Sequence, residues 1–302
     1  MKFAPWVLAA RPKTLPESSS PVVIASALAW IEGSFALVPF LLALIFAVFA
    51  QIAANLANDW ADFKKGADRE GRLGPDRMVA LGILSPKAML IGACVSLAIA
   101  CGFGLGLVAY GGIKLIALGA VCALAVFLYS AGPYPLAYIG LGDVAVVLFF
   151  GLAAVGGTYY VQTGHLSWAS FWAGLSFGFA SDTVLTANNY RDRVQDRENR
   201  KFTLIALFGE RFGRYFFLAI GGLSALFFAL CCRCLAGGDF QTWLWLLPFP
   251  GFWLVIHLLT WRKMIAIFEG KQLNKILEQA AKNTLLLALF YVLAAVVIKL
   301  TS

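Results

Sequence analysis

"NLANDWADFKKGAD", residues 55–68, closes one of the most apolar runs of the chain with amides, carboxylates and lysines crowded together. The stretch before it, residues 35–54, carries no charge. Such a cluster belongs where an apolar helix leaves its apolar solvent, and that placement decides the fold. Asn55, Asn58, Asp59 and Asp62 fall at i, i+3, i+4 and i+7, which sets them on one helix face. Asp68 follows after Gly66.

Working outward, the composition excludes a soluble domain: 302 residues are 61% hydrophobic and 13% charged, with a mean hydropathy of +0.80. A bilayer core takes about 20 apolar residues per helix and leaves no exposed backbone polar group unsatisfied, so a helical bundle is expected. Nine spans are expected, at roughly 16–31, 35–57, 86–110, 113–131, 142–162, 168–190, 213–235, 242–261 and 281–300. The first, which opens with Glu17 and three serines, reads as a tilted or partly interfacial segment. The N-terminal "FAPWVLAA" reads as a short surface helix, not as a cleavable signal peptide. No Pro, Ser or charged linker divides the chain, so residues 1–302 read as one membrane domain. Its cap loops lie at about 58–86 and 190–212.

Charge orients this bundle. With a cytoplasmic N-terminus, only Lys114, Arg233 and Lys299 of the 24 Lys and Arg fall on the far side. The net +8 is thereby concentrated on one face, where anionic lipid is sufficient explanation and a nucleic-acid partner is not expected.

The second large polar segment repeats the pattern of the first. In "SDTVLTANNYRDRVQDRENRKFT", Asp192 and Asp196 are four apart, Asn189 lies one turn earlier, and Asp182 two further turns back. Carboxylates four apart repel and weaken a bare helix. Either neighbouring Lys and Arg neutralise them as solvated pairs, or a hard divalent cation does so with help from phosphate oxygens. Both clusters are followed by cations, Lys64, Lys65, Arg72 and Arg77 in one and Arg197, Arg200 and Lys201 in the other. Acid, amide and base side by side suit a Mg²⁺-diphosphate, so the cation reading is preferred.

These segments resemble the UbiA superfamily of intramembrane prenyltransferases, whose two aspartate-rich motifs lie on loops after spans two and six of a nine-helix bundle. "NDWAD" at 58–62 matches the first motif and "RDRVQD" at 191–196 the second. "AARPKTLP", "RLGPDRMVALGILSPKAM", "AGPYPLAYIGLGD", "FFGLAAVGGTYYVQTG" and "NNYRDRVQDRENRKFTL" are similar to the branch that prenylates 1,4-dihydroxy-2-naphthoate in menaquinone synthesis. The resemblance runs over residues 9–209. It implies an all-α integral membrane enzyme of nine helices, with a central cavity open to the cytoplasm and laterally to lipid, in the bacterial inner membrane.

It also implies roles. Asp59, Asp62, Asp192, Asp196 and Lys201 would carry catalysis. Asn55, Asn58, Asp59, Asp62, Asp68, Asp192 and Asp196 would hold Mg²⁺, as two ions. Lys64, Arg77, Arg191 and Lys201 would meet the diphosphate. Asn188, Asn189, Tyr129, Tyr134, Tyr138 and Tyr160 would line the acceptor and prenyl pocket. Arg200 stands where this branch usually has Gly, and Asp143 where Glu is common. Other aromatic acceptors, such as 4-hydroxybenzoate or homogentisate, and a cation-coupled transporter are the alternatives. Transporter ion sites lie near the midplane, whereas these clusters sit at the bilayer edge.

The remaining polar residues read mainly as structure. Asp182 is an intramembrane acid, either functional or bonded to neighbouring helices. His257 reads as a packing residue, and the six cysteines lack zinc spacing. Glycine-rich stretches such as "GLAAVGG" suit close helix packing and do not form a nucleotide loop.

Overall fold

The computed structural model describes residues 4–66 and 72–301, so Asp68 lies outside the described residues. Among them there is no strand, and the chain runs as helices joined by short turns. We number the helices α1 (Ala4–Ala10), α2 (Pro16–Ile31), α3 (Leu37–Lys64), α4 (Pro86–Gly111) and α5 (Lys114–Leu128). Then follow α6 (Gly142–Thr163), α7 (Trp168–Glu198), α8 (Leu204–Leu235), α9 (Phe240–Ile267) and α10 (Asn274–Thr301). Helices α3, α4, α6, α8, α9 and α10, the last with its preceding turn, are long and apolar enough to cross a membrane.

Local chemistry sets these boundaries. Ser85 caps α4 ahead of Pro86, whose missing N–H costs nothing at that position. Ser167 and Ser170 form a reciprocal capping box at the start of α7, and Thr203 caps α8. Pro16 opens α2, and here the structure departs from the interfacial segment expected. Glu17, Ser18 and Ser20 are buried inside the bundle, because Glu17 accepts hydrogen bonds from Ser181 (2.6 Å) and Thr284 (2.8 Å) on two other helices.

The acidic motifs also depart from expectation. Neither lies on a loop: α3 stays helical through Lys64 and α7 through Glu198, so both sit on the last turns of long helices. The i, i+4 spacing is thus kept by real helix, with the carboxylates near the negative end of each backbone dipole.

The core gathers where α2, α6, α7, α8, α9 and α10 meet, around Leu28, Tyr159, Phe177, Phe228, Trp253 and Tyr291. Lipid is as apolar as leucine, so close packing has to supply what hydrophobic burial cannot. Gly151, in a π-helical turn of α6 over Val147–Ala153, shows this most plainly. A Cβ at Gly151 would lie 2.4 Å from the Gly174 carbonyl oxygen and 2.8 Å from the Gly178 Cα. Helices α6 and α7 therefore touch backbone to backbone. Gly151→Ala is expected to lower stability by about 1–3 kcal/mol. Thermal unfolding in detergent checks this against Gly102→Ala, where nothing lies within 4 Å of the added Cβ and no loss is expected.

Candidate active site

A cavity of about 700 Å³ opens between the ends of α3 and α7 and continues inward between apolar walls. Its polar mouth holds Asn58, Asp59, Asp62, Asp192, Asp196, Arg11, Arg77, Arg191 and Lys201. Its interior is lined by Ala43, Phe46, Leu107, Leu115, Phe149 and Val161 among others. Two chain segments close over the mouth. One is the turn between α1 and α2, the other the stretch from Arg72 to Arg77 ahead of α4.

The first segment is tied to α3 by Asn55, which donates to the Ala10 carbonyl (3.0 Å) and the Thr14 hydroxyl (3.1 Å). Arg11, held at φ 52°, reaches Asp59 from there. Sequence reasoning quoted Arg11 only within a motif, and its contact spans two segments far apart in the chain. Asn55, expected as a metal ligand, lines the cavity and also fastens this segment through its side-chain nitrogen.

The second segment brings Arg77 inward until it is 7% exposed. Its guanidinium spans both carboxylates of the first motif, 3.2 Å from Asp59 and 2.7 Å from Asp62, and donates to Asn58 at 3.1 Å. Tyr138 donates to the other oxygen of Asp62 at 2.7 Å. Burial, with the nearby Asp62 charge, keeps that phenol protonated well above its ordinary range. Gly74 lets the same stretch pass over Arg191, since a Cβ there would lie 2.9 Å from the guanidinium.

On α7, the fully buried Arg191 pairs with Asp192 and donates to Asn188 (2.8 Å) and Asn274 (2.7 Å). Lys201 lies 3.4 Å from one oxygen of Asp196, while the other oxygen is buried with no hydrogen-bond partner. Burial pushes the Asp196 carboxyl up to about 6, with Asp192 and Asp62 adding to the rise and Lys201 opposing it. Asn189 is 3% exposed on the cavity wall, and its side-chain oxygen is likewise unpartnered.

The structure therefore brings together Asn58, Asp59, Asp62, Arg77, Arg191, Asp192, Asp196 and Lys201 at one mouth, with Asn188, Asn189, Tyr129 and Tyr138 on the same cavity. Asn55 lines the same cavity, whereas three expected residues stand away from it. Lys64 is exposed and lies over the Trp60 ring at 4.9 Å. Tyr134 is 78% exposed, and Tyr160 is not on the cavity wall. Lys65, one position on, turns back instead to the Ser130 carbonyl (2.9 Å) and the Tyr138 ring.

Arg200 is exposed with φ 55°, a conformation that glycine adopts without strain. Its side chain is therefore not part of the mouth.

A model of the UbiA prenyltransferase family matches residues 19–266. The chain is 35% identical over 298 residues to 1,4-dihydroxy-2-naphthoate octaprenyltransferase of Escherichia coli K12, covering 95% of this chain and 94% of that one. It is 39% identical over 225 residues to the protein of the same name from Mycobacterium tuberculosis H37Rv, covering 73% and 76%. The fold is similar to a UbiA homolog from Archaeoglobus fulgidus bound to GPP and Mg²⁺, with a TM-score of 0.69 at 14% identity over 98% and 99% of the two chains.

Removing Arg77 leaves two buried carboxylates without their bridging cation. Arg77→Met is expected to cost about 3–5 kcal/mol in the absence of added metal. Asp59→Asn placed in the same chain is expected to return part of that loss. Chemical unfolding of the two variants beside the parent checks both.

Proposed function

The chain belongs to the UbiA prenyltransferase family, and from that premise we propose that it transfers a polyprenyl group from an allylic polyprenyl diphosphate to 1,4-dihydroxy-2-naphthoate, releasing CO₂ and diphosphate. The product is the demethylated precursor of menaquinone. The observation that carries this is the pairing of a carboxylate- and guanidinium-rich mouth with an apolar chamber behind it. A diphosphate with an apolar tail needs both.

The mouth fits a divalent cation. Its donors are hard oxygens, and Asp196 keeps a buried oxygen without a partner. Among the described residues no three His, Cys, Asp or Glu side chains converge to hold an ion unaided. Mg²⁺ takes one or two carboxylates and completes its sphere with phosphate oxygens and water. Asn58, Asp59 and Asp62 would hold one ion, and Asp192 and Asp196 a second. Bound there, Mg²⁺ neutralises the charge that develops on the departing diphosphate.

The protein's own side chains do the rest. Arg77 and Lys201 meet the remaining diphosphate oxygens, and Arg191, fixed by Asn188 and Asn274, holds Asp192 in place. Tyr138 orients Asp62. The apolar and aromatic walls, Phe46, Phe149 and Phe150 among them, exclude water from the allylic cation until the acceptor ring reaches it. Tyr129, Asn188 and Asn189 face the acceptor's part of the cavity.

Helices α2, α5 and α7 complete a nine-span bundle with the six apolar segments, the N-terminus and mouth being cytoplasmic. The concentration of Lys and Arg on that side supports this orientation. Leu105, Ile116 and Leu118 line the cavity and are exposed, which supports a prenyl tail that enters sideways from lipid.

Purified protein in liposomes, given 1,4-dihydroxy-2-naphthoate, a polyprenyl diphosphate and Mg²⁺, is expected to form prenylated, decarboxylated product. EDTA abolishes it, and Asp62→Ala or Asp192→Ala lowers kcat by about 10²–10³-fold. No product from this acceptor, with product from 4-hydroxybenzoate, would overturn the substrate assignment. Arg200→Gly is expected to leave the KM for the donor within about twofold, because the change relieves backbone strain away from the mouth.

A further inference from the structure

Beyond the mouth, the cavity wall carries an acidic pair that the diphosphate chemistry does not use. Asp143 stands in the first turn of α6, 6% exposed and lining the cavity, and Asp182 lies midway along α7, 1% exposed. Helices α6 and α7 pack in antiparallel register, Gly151 on Gly174 and Val147 on Gly178, and one turn further this register sets Asp143 against Asp182. Two buried carboxylates so placed repel each other, and a proton taken up by the pair relieves that repulsion. Among the described residues neither is ion-paired to an Arg or Lys. Oδ1 of each accepts no hydrogen bond from a protein donor. An intramembrane pair left in that state is costly unless a ligand completes it.

Its position points to the acceptor. Tyr129 lines the cavity with its hydroxyl beside Gly142, 3.4 Å from where a Cβ there would stand. Asp143 and Asp182 act on its hydroxyl, as do Asp62 and Asp196 of the mouth. Asp143 therefore stands on the same cavity as the diphosphate mouth, and Asp182 lies behind it on the helix that carries Asp192 and Asp196. Glu17, the other deep acid, already has both oxygens occupied by Ser181 and Thr284.

We propose that Asp143, positioned by Asp182, accepts the acceptor hydroxyl adjacent to its carboxylate and takes that proton as the carbon–carbon bond forms. This inference rests on the prenyl-transfer reading above. The ring carbon bearing the carboxylate bonds to the allylic carbon, whose bond to the diphosphate oxygen breaks with the electron pair leaving on diphosphate. The hydroxyl proton passes to Asp143 and its oxygen becomes a carbonyl. The carboxylate now sits beside that carbonyl on a carbon that also carries the prenyl group. Loss of CO₂ returns the bond's electron pair to the ring, and Asp143 returns the proton to the oxygen. The negative charge of the acceptor leaves with diphosphate, and no oxidant or reductant is consumed.

The test compares wild type, Asp143→Asn, Asp182→Asn and Asp143→Glu on 1,4-dihydroxy-2-naphthoate and on its 1-methyl ether, which keeps the ring and carboxylate but lacks the proton. Asp143→Asn is expected to lower kcat by about 10²–10⁴-fold with the donor KM unchanged. Asp182→Asn lowers kcat less, again without moving the donor KM, and Asp143→Glu recovers much of the rate. The methyl ether slows wild type to a similar degree and slows Asp143→Asn no further. Asn variants that keep kcat within about threefold, or a methyl ether turned over as fast as the parent by wild type, would overturn the proposal. If Asp143→Asn does not accumulate as folded protein, the methyl ether on wild type still decides. Failure of wild type on 1,4-dihydroxy-2-naphthoate itself would sink the prenyl-transfer reading before any variant is compared.

Discussion

Two long helices, α3 and α7, each deliver a pair of carboxylates to their own C-terminal turns, where the backbone dipole already presents negative charge. Proximity makes this worse, since burial penalises each charge and the two pairs face one mouth. The rest of the site answers that constraint. Arg11 arrives on the turn before α2, Arg77 on the stretch ahead of α4, and Lys201 just past the end of α7. The charges are still not fully met, because Asp196 retains an unpartnered buried oxygen. That remainder supports the proposal of a cation bound with its own anion.

Holding these ends together depends on packing that lipid does not drive. The backbone contact of Gly151 with Gly174 and Gly178 brings α6 against α7 so closely that Asp143 and Asp182 meet. The π-helical turn at Val147–Ala153 lies one turn beyond Asp143, at a place where such turns often mark function. Mouth and deep acid pair are thus set by the same helix, α7, whose polar stripe runs from Asp182 through Asn189 to Asp192 and Asp196. Donor and acceptor would be registered along one rod.

Much of this was legible in the sequence because helical spacing is local. Asn58, Asp59 and Asp62 share a face by arithmetic alone, as do Asp192 and Asp196, and the structure sets them on the same cavity. What was not legible is tertiary. Nothing near Arg11 in the chain announces Asp59, and Asn55, on the right helix face, is captured by the Ala10 carbonyl and Thr14. Lys64 and Lys65 differ by about 100° around the helix axis, so composition cannot tell which stands over Trp60 and which over Tyr138. Tyrosines are ambiguous for the same reason: Tyr129 and Tyr138 reach the cavity, whereas Tyr134 is exposed. Glu17 looked interfacial because its partners, Ser181 and Thr284, lie on helices far along the chain.

The central claim is that the four mouth carboxylates are gathered for a metal-bound diphosphate. The most direct measurement is calorimetric binding of an unreactive prenyl thiolodiphosphate to the protein in detergent, with Mg²⁺ and then with EDTA. The account predicts binding that weakens by well over about tenfold, or about 1.4 kcal/mol, when the metal is removed. Equal affinity with and without Mg²⁺ would contradict it, and would mean that the arginines and Lys201 alone hold the diphosphate.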